Sequence, residues 1–253
     1  MRFAVDVIMD YQIRRDDVVL LMIEAAQTDG QAVLDATLDI TDATLHRAQS
    51  APLQVRVPGQ SFHLHYRAML HITRPDVVWD ALAASPVNAL PDDVAPYLHP
   101  SRYCPSDQFR DIAEHQFGAL AGGAKIAAIA RWITATIAYV PGSSNGETTA
   151  MDTYTARAGV CRDFTHVLCC MARAAGIPAR YASVYGVAVD PPDFHAVAQV
   201  WLDGAWHLID ATGMSMASGL AIIAVGQDAG DVSFMETEHW AQMIGKTVTV
   251  TPQ

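Results

Sequence analysis

Cys161 follows Gly159-Val160, and behind it Phe164, Val167, Leu168, Met171, Ala174 and Ala175 recur at helical spacing. Gly176 suits the left-handed position after a helix and Pro178 prevents continuation, so a helix is expected from 161 to about 175. A thiol at a helix start faces unpaired backbone N–H groups and the positive end of the dipole. Both stabilise a thiolate, the nucleophilic form of cysteine. Position alone leaves open the plainer reading of Cys161 as a small buried apolar residue. Cys169 and Cys170 fall mid-helix beside the apolar stripe and read as core. His166, Cys169 and Cys170 have a spacing that could hold a metal, but neither a clear fourth ligand nor a paired-knuckle pattern accompanies them.

Downstream, His195–Leu202 and the run 205–211 flank Asp203-Gly204, a pair suited to a two-residue hairpin turn. With those two residues as the turn, Leu202 faces Ala205 and Trp201 faces Trp206. The register then carries Val197 opposite Asp210 and His195 opposite Thr212. Alternation places His195, Val197, Asp210 and Thr212 on one face of the hairpin. His195 and Asp210 become diagonal neighbours, about 7–8 Å apart along the backbone and within side-chain reach. His207 lies on the other face with Ile209 and Ala211. A bulge at the turn would break this register. A helix-terminal thiol, an imidazole and a carboxylate that orients it are the parts of a nucleophilic acyl-transfer site.

Those three stretches carry a family likeness. Gly159-Val160-Cys161-Arg162-Asp163-Phe164, with Arg173 to Tyr181 closing the helix, resembles the first motif of the transglutaminase-like superfamily. Phe194-His195-Ala196 and the run Trp206 to Thr212 resemble the second and third. The likeness spans about residues 97 to 230 and, with the preceding strands, is similar to the bacterial transglutaminase-like cysteine peptidase group. It implies an α+β, papain-like fold with Cys161 as nucleophile, His195 as base and later proton donor, and Asp210 as orienter. It also implies a thioester acyl-enzyme on a peptide or protein substrate carrying an amide bond, resolved by water or an amine. No cofactor and no metal are expected. A second oxyanion donor is expected beside the Cys161 N–H, with Tyr139 and Asn145 in the right stretch and neither singled out. The family includes amide-crosslinking enzymes, proteases and amidases. Hydrolysis is slightly favoured here, with amine transfer and a non-catalytic binding module as alternatives.

Several elements must position these residues. Phe3, Val5, Val7 and Met9 alternate with Ala4, Asp6, Ile8 and Asp10 as in a half-buried strand. Further strands are expected at 18–23, 32–40 and 54–72, the last divided at Pro58-Gly59. Residues 1–90 therefore read as a small antiparallel β domain. Prolines at 86, 91, 96, 100 and 105 mark a linker, after which 97–253 read as a catalytic core with C-terminal strands. Helices are expected over 106–116 and 123–137, and Thr149 with Asp152 resembles a capping box. His63, His65 and His71 could ligate a metal, but no carboxylate or cysteine stands at ligand spacing beside them in sequence.

The 253 residues carry a net charge of −11, which argues against a nucleic-acid partner. Asp6 and Asp10 interrupt any signal-peptide core, and Lys125 and Arg131 cut the most apolar long stretch, so no membrane association is expected. Four cysteines without scaffold spacing suit a reducing, cytoplasmic setting. Oligomeric state is not encoded in any motif.

Overall fold

Strand β1 (Arg2–Ile13) shows the period of two at work. Phe3, Val5, Val7, Met9, Tyr11 and Ile13 are at most 3% exposed on one face. On the other face Asp6 and Asp10 pair with His65 and His63. The computed structural model describes residues 1–14, 17–47 and 52–253. Strands β2 (Asp17–Leu21), β3 (Gln31–Thr41), β4 (Thr44–His46), β5 (Leu53–Val57) and β6 (Ser61–Ile72) follow, with Pro58-Gly59 between β5 and β6 as expected. Their alternate apolar residues share one core.

The stretch after β6 is less of a free linker than its prolines suggest. It forms short 3-10 turns, and its far end is held by Arg173, 4% exposed. The guanidinium donates to the carbonyls of His99, Ala179 and Gln227 and to the Ser101 hydroxyl. A fork of five donors suits such a cluster of acceptors.

The helical layer comprises α1 (Arg110–Phe117) and α2 (Gly122–Thr136). Strand β7 (Ala138–Tyr139), helix α3 (Ala150–Ala156) and strand β8 (Ala158–Gly159) then lead into α4 (Cys161–Ala174). The Thr149/Asp152 capping box at α3 forms as its spacing predicts. Helix α1 starts later than expected because 106–109 wind as a 3-10 turn. Helix α4 ends in a Schellman motif: Gly176 has φ 77°, its N–H reaches the Arg173 carbonyl, and the Ile177 N–H reaches that of Ala172. The single apolar stripe understates the burial of α4, since every residue from Asp163 to Arg173 is buried. The reason is its central place between the other helices and a sheet.

That sheet contains β9 (Ala179–Gly186), β10 (His195–Leu202), β11 (Ala205–Ile209) and β12 (Leu220–Gly226), ordered β11-β10-β9-β12 and antiparallel. Ala198, Val200 and Leu202 pack toward α4. Tyr185, Ala221 and Ile223 join the core of the N-terminal strands, where Tyr185 stacks on Tyr66. The buried Gln31 amide bonds both the carbonyl and the N–H of Ile222. The sheet is thus a middle layer between helices and β unit.

The chain then returns to its start. Strands β13 (Met235–Thr237) and β14 (Ala241–Pro252) pair with β2 and β1, giving the sheets β13-β2-β5-β4 and β14-β1-β6-β3. The sequence reading groups these C-terminal strands with residues 97–253, whereas their pairing partners lie within residues 1–90. Their hydrogen bonds close the edges of the N-terminal sheets. Among the described residues no helix is long and apolar enough to cross a membrane.

Candidate active site

Asp203 and Gly204 both have positive φ, 52° and 75°, as a type I′ turn requires. The expected register follows, with Leu202 opposite Ala205, Trp201 opposite Trp206 and Ala198 opposite Ile209. The ladder stops at Ile209, earlier than the expected 211. Asp210 turns the chain there, its carboxylate accepting from the N–H and hydroxyl of Thr212. Its other oxygen accepts from the Ser215 N–H and from His195 Nε2, the latter at 2.9 Å. Both side chains of the pair are 1% exposed. His207 bonds the Leu202 carbonyl on the opposite face, away from the pair.

Burial by itself would push the imidazole down. The hydrogen bond to Asp210, the contact with the Cys161 thiol and the charges of both outweigh it and raise His195 to about 9. Burial works against Asp210 ionisation too, and the bonds from His195 and Thr212 reverse it, holding the carboxyl below its ordinary value. With Nε2 used by Asp210, the buried Nδ1 has no conventional hydrogen-bond partner among the described residues. It is the ring nitrogen left for Cys161.

Cys161 is partly exposed at the first position of α4, as its sequence context predicts. The turn that delivers it is held by Asp163, whose fully buried carboxylate accepts from the Val160 N–H, the Ser144 hydroxyl and the Arg162 guanidinium. Arg162 also donates to the Asn145 carbonyl, fastening the 142–148 loop to the helix. Gly159 is required here because an added Cβ would come within 2.7 Å of the Asp163 Cβ. Asp163 was available to sequence reasoning as an acid three residues past a helix cap.

Of the two residues in the stretch before α4, Asn145 is anchored within its own loop, its side-chain oxygen accepting from the Glu147 N–H. Tyr139 is different. Strand β7 runs parallel to β8 with Tyr139 opposite Gly159, and the ring leans on Phe164. This makes the phenol a neighbour of the Cys161 backbone N–H and thiol. Burial and the neighbouring Cys161 raise the phenol to about 12, so it keeps its proton. Cys169 and Cys170 are fully buried, and burial together with Cys104 pushes their thiols well up. His166 accepts from the Ala229 N–H and stacks between Tyr103 and Tyr181, so it does not join the cysteines as a ligand set.

Cys161 and His195 open into a cleft of about 350 Å³ bounded by Tyr103, Tyr181, Phe194 and Phe234. A larger cavity of about 560 Å³ lies behind Asp210 against α2 and contains neither Cys161 nor His195. Among the described residues one group could present ligand atoms to a metal: Asp17, Glu238 and His239. Its Asp17 carboxylate already accepts from the N–H groups of Val18 and His239, a link between β2 and the segment joining β13 to β14, remote from the thiol in sequence.

Residues 110–211 match the family model of the transglutaminase-like superfamily. The chain is similar to a candidate cysteine protease from Cytophaga hutchinsonii of known crystal structure. The two are 33% identical with a TM-score of 0.90, over 99% of this chain and 90% of that one. It is also 30% identical, over 117 residues, to an uncharacterized protein of Mycobacterium leprae. That match takes in 43% of this chain and 42% of the relative, so the chain spans less than half the length of the curated relative it matches. This protein belongs to the transglutaminase-like superfamily, and its α+β core has the papain-like arrangement of that family.

Proposed function

We propose that this protein is a cysteine-nucleophile enzyme that hydrolyses an amide or peptide bond through a thioester. The observation that carries the reading is the 2.9 Å His195–Asp210 bond, which leaves Nδ1 for the Cys161 thiol at the floor of a cleft.

In this mechanism the Cys161 thiol passes its proton to His195 Nδ1, the sulfur attacks the carbonyl carbon, and the carbonyl π pair moves onto oxygen. The Cys161 N–H and the Tyr139 phenol donate to that oxyanion. One such donor is worth about 10²- to 10³-fold in turnover. As the intermediate collapses, the C–N bond breaks and the imidazolium gives its proton to the departing amine. His195 then takes a proton from water, whose oxygen attacks the thioester and releases a carboxylic acid and the thiol. Asp210 keeps the ring oriented throughout and compensates the imidazolium charge. Water reaches a partly exposed thiol directly, which favours hydrolysis over transfer to an amine. The substrate in this reading is a peptide or protein amide, with neither metal nor cofactor in any step.

Two measurements test the proposal. Iodoacetamide labelling with peptide mapping should modify Cys161 in the native protein and spare Cys169 and Cys170 until it unfolds. With a short peptide panel, mass spectrometry should find hydrolysed product without added acceptor, unaffected by EDTA and abolished by alkylation. Near-complete capture of the acyl group at low concentrations of a primary amine would replace hydrolysis with transfer. No acyl-enzyme on any substrate, despite a reactive Cys161, would favour a binding module.

A further inference from the structure

The wall of the cleft facing Cys161 is built by segments far from the catalytic motifs. Met22 follows β2, Met235 opens β13, and the two elements are laddered, with the Met22 N–H donating to the Phe234 carbonyl. Phe234 stacks on Phe194 with ring centroids 5.0 Å apart and planes 4° from parallel. Ile223 of β12 and Val232 complete an apolar surface beside the thiol. The side of the cleft contributed by the β unit is therefore methionine and aromatic.

Charge is scarce on this surface. Among the described residues no carboxylate lines the cleft, and its two cationic side chains are already paired with carboxylates: Arg162 with Asp163, and His195 with Asp210. The nearby Asp193 is held by Lys246 of β14 at 2.6 Å. A charged side chain entering the cleft would lose water and find at most a guanidinium already paired with Asp163. A large apolar one would bury its surface against sulfur and aromatic carbon, contacts that methionine adapts to readily.

We infer that the Met22, Met235, Phe194 and Phe234 wall is a specificity pocket that selects substrates with a large apolar or aromatic side chain flanking the scissile amide. The inference rests on the acyl-transfer reading of Cys161. It makes the β unit a contributor to substrate choice as well as a support for the central sheet. At about 350 Å³ the cleft is at the small end of ligand pockets, which run to roughly 300–1,000 Å³, and suits one such side chain.

The test uses dipeptidyl chloromethyl ketones with Phe, Leu, Glu or Lys at either position before the reactive carbonyl. The Cys161 sulfur displaces chloride and forms a thioether, read by intact mass. Rates are expressed relative to iodoacetamide on the same protein, which separates recognition from thiol reactivity. At one of the two positions Phe and Leu should label roughly 10- to 100-fold faster than Glu and Lys. Met235→Glu should lower the Phe ratio and raise the Lys ratio. Met22→Ala, a milder change, should shift preference from Leu toward Phe. Equal ratios across the four side chains, or a preference untouched by both substitutions, would overturn the pocket while leaving the nucleophile intact. Failure of iodoacetamide to label Cys161 in the native protein would instead remove the acyl-transfer reading and the pocket with it.

Discussion

His195 gives its Nε2 to Asp210 at 2.9 Å, and this choice of nitrogen decides which face of the ring is left for Cys161. The geometry depends on a two-residue turn at Asp203-Gly204, which sets the hairpin register, and on the bend at Asp210, which ends the second strand. Substitutions in the hairpin should therefore divide by face. His195→Ala should lower turnover about 10⁴-fold and slow Cys161 alkylation, and Asp210→Asn should approach a similar loss of turnover. His207→Ala should leave turnover within about threefold, since it removes one contact on the far face. Equal losses at both histidines would contradict the register.

The ionisation of His195 is open to a charged alkylating agent. Its pKa is raised to about 9, so the imidazolium persists through neutral pH and is lost as pH rises through that value. Anionic iodoacetate is drawn to the cation, whereas neutral iodoacetamide is not. The ratio of the two rates at Cys161 should stay high below about 8 and fall across the His195 titration. His195→Ala should abolish that fall. A flat ratio in the wild type would mean that the ring is already neutral at pH 7.

Tyr139 separates transition-state stabilisation from thiol reactivity. Tyr139→Phe removes the proposed oxyanion donor and should reduce kcat by about 10²-fold with little change in KM. Iodoacetamide alkylation forms no oxyanion, so its rate should fall far less. Parallel losses in both would assign Tyr139 to positioning the thiol instead.

Arg173 tests the frame behind the site. Its guanidinium serves acceptors from three separated segments, so Arg173→Ala leaves the buried Ala179 carbonyl and the part-buried ones of His99 and Gln227 unpaired. Stability should fall by on the order of 3 kcal/mol, read as a lower urea midpoint with an unchanged slope. An unchanged midpoint would mean that water replaces the guanidinium at no cost.

Local signals in the chain were strong where adjacent residues interact. The α4 boundaries follow from Cys161, Gly176 and Pro178, the hairpin from Asp203-Gly204, and β1 from its period of two. In each case a helix repeat, a turn conformation or strand alternation couples residues a few positions apart. The capping box at α3 is legible for the same reason.

What tertiary structure alone decided has no local signature. Strand β14 joins β1 across almost the whole chain, and Arg173 gathers carbonyls from 99, 179 and 227. Tyr139 reaches Cys161 through a two-residue parallel pairing too short to leave a pattern. The sequence by itself determined the residue types, the helix that carries the thiol and the hairpin that pairs His195 with Asp210. The folded chain decided the neighbours of Cys161: the phenol beside its N–H and the methionine and aromatic wall opposite. The physical reason is that propensity and periodicity act over a few residues, whereas these neighbours are selected by packing among distant segments that become adjacent only when the sheets close.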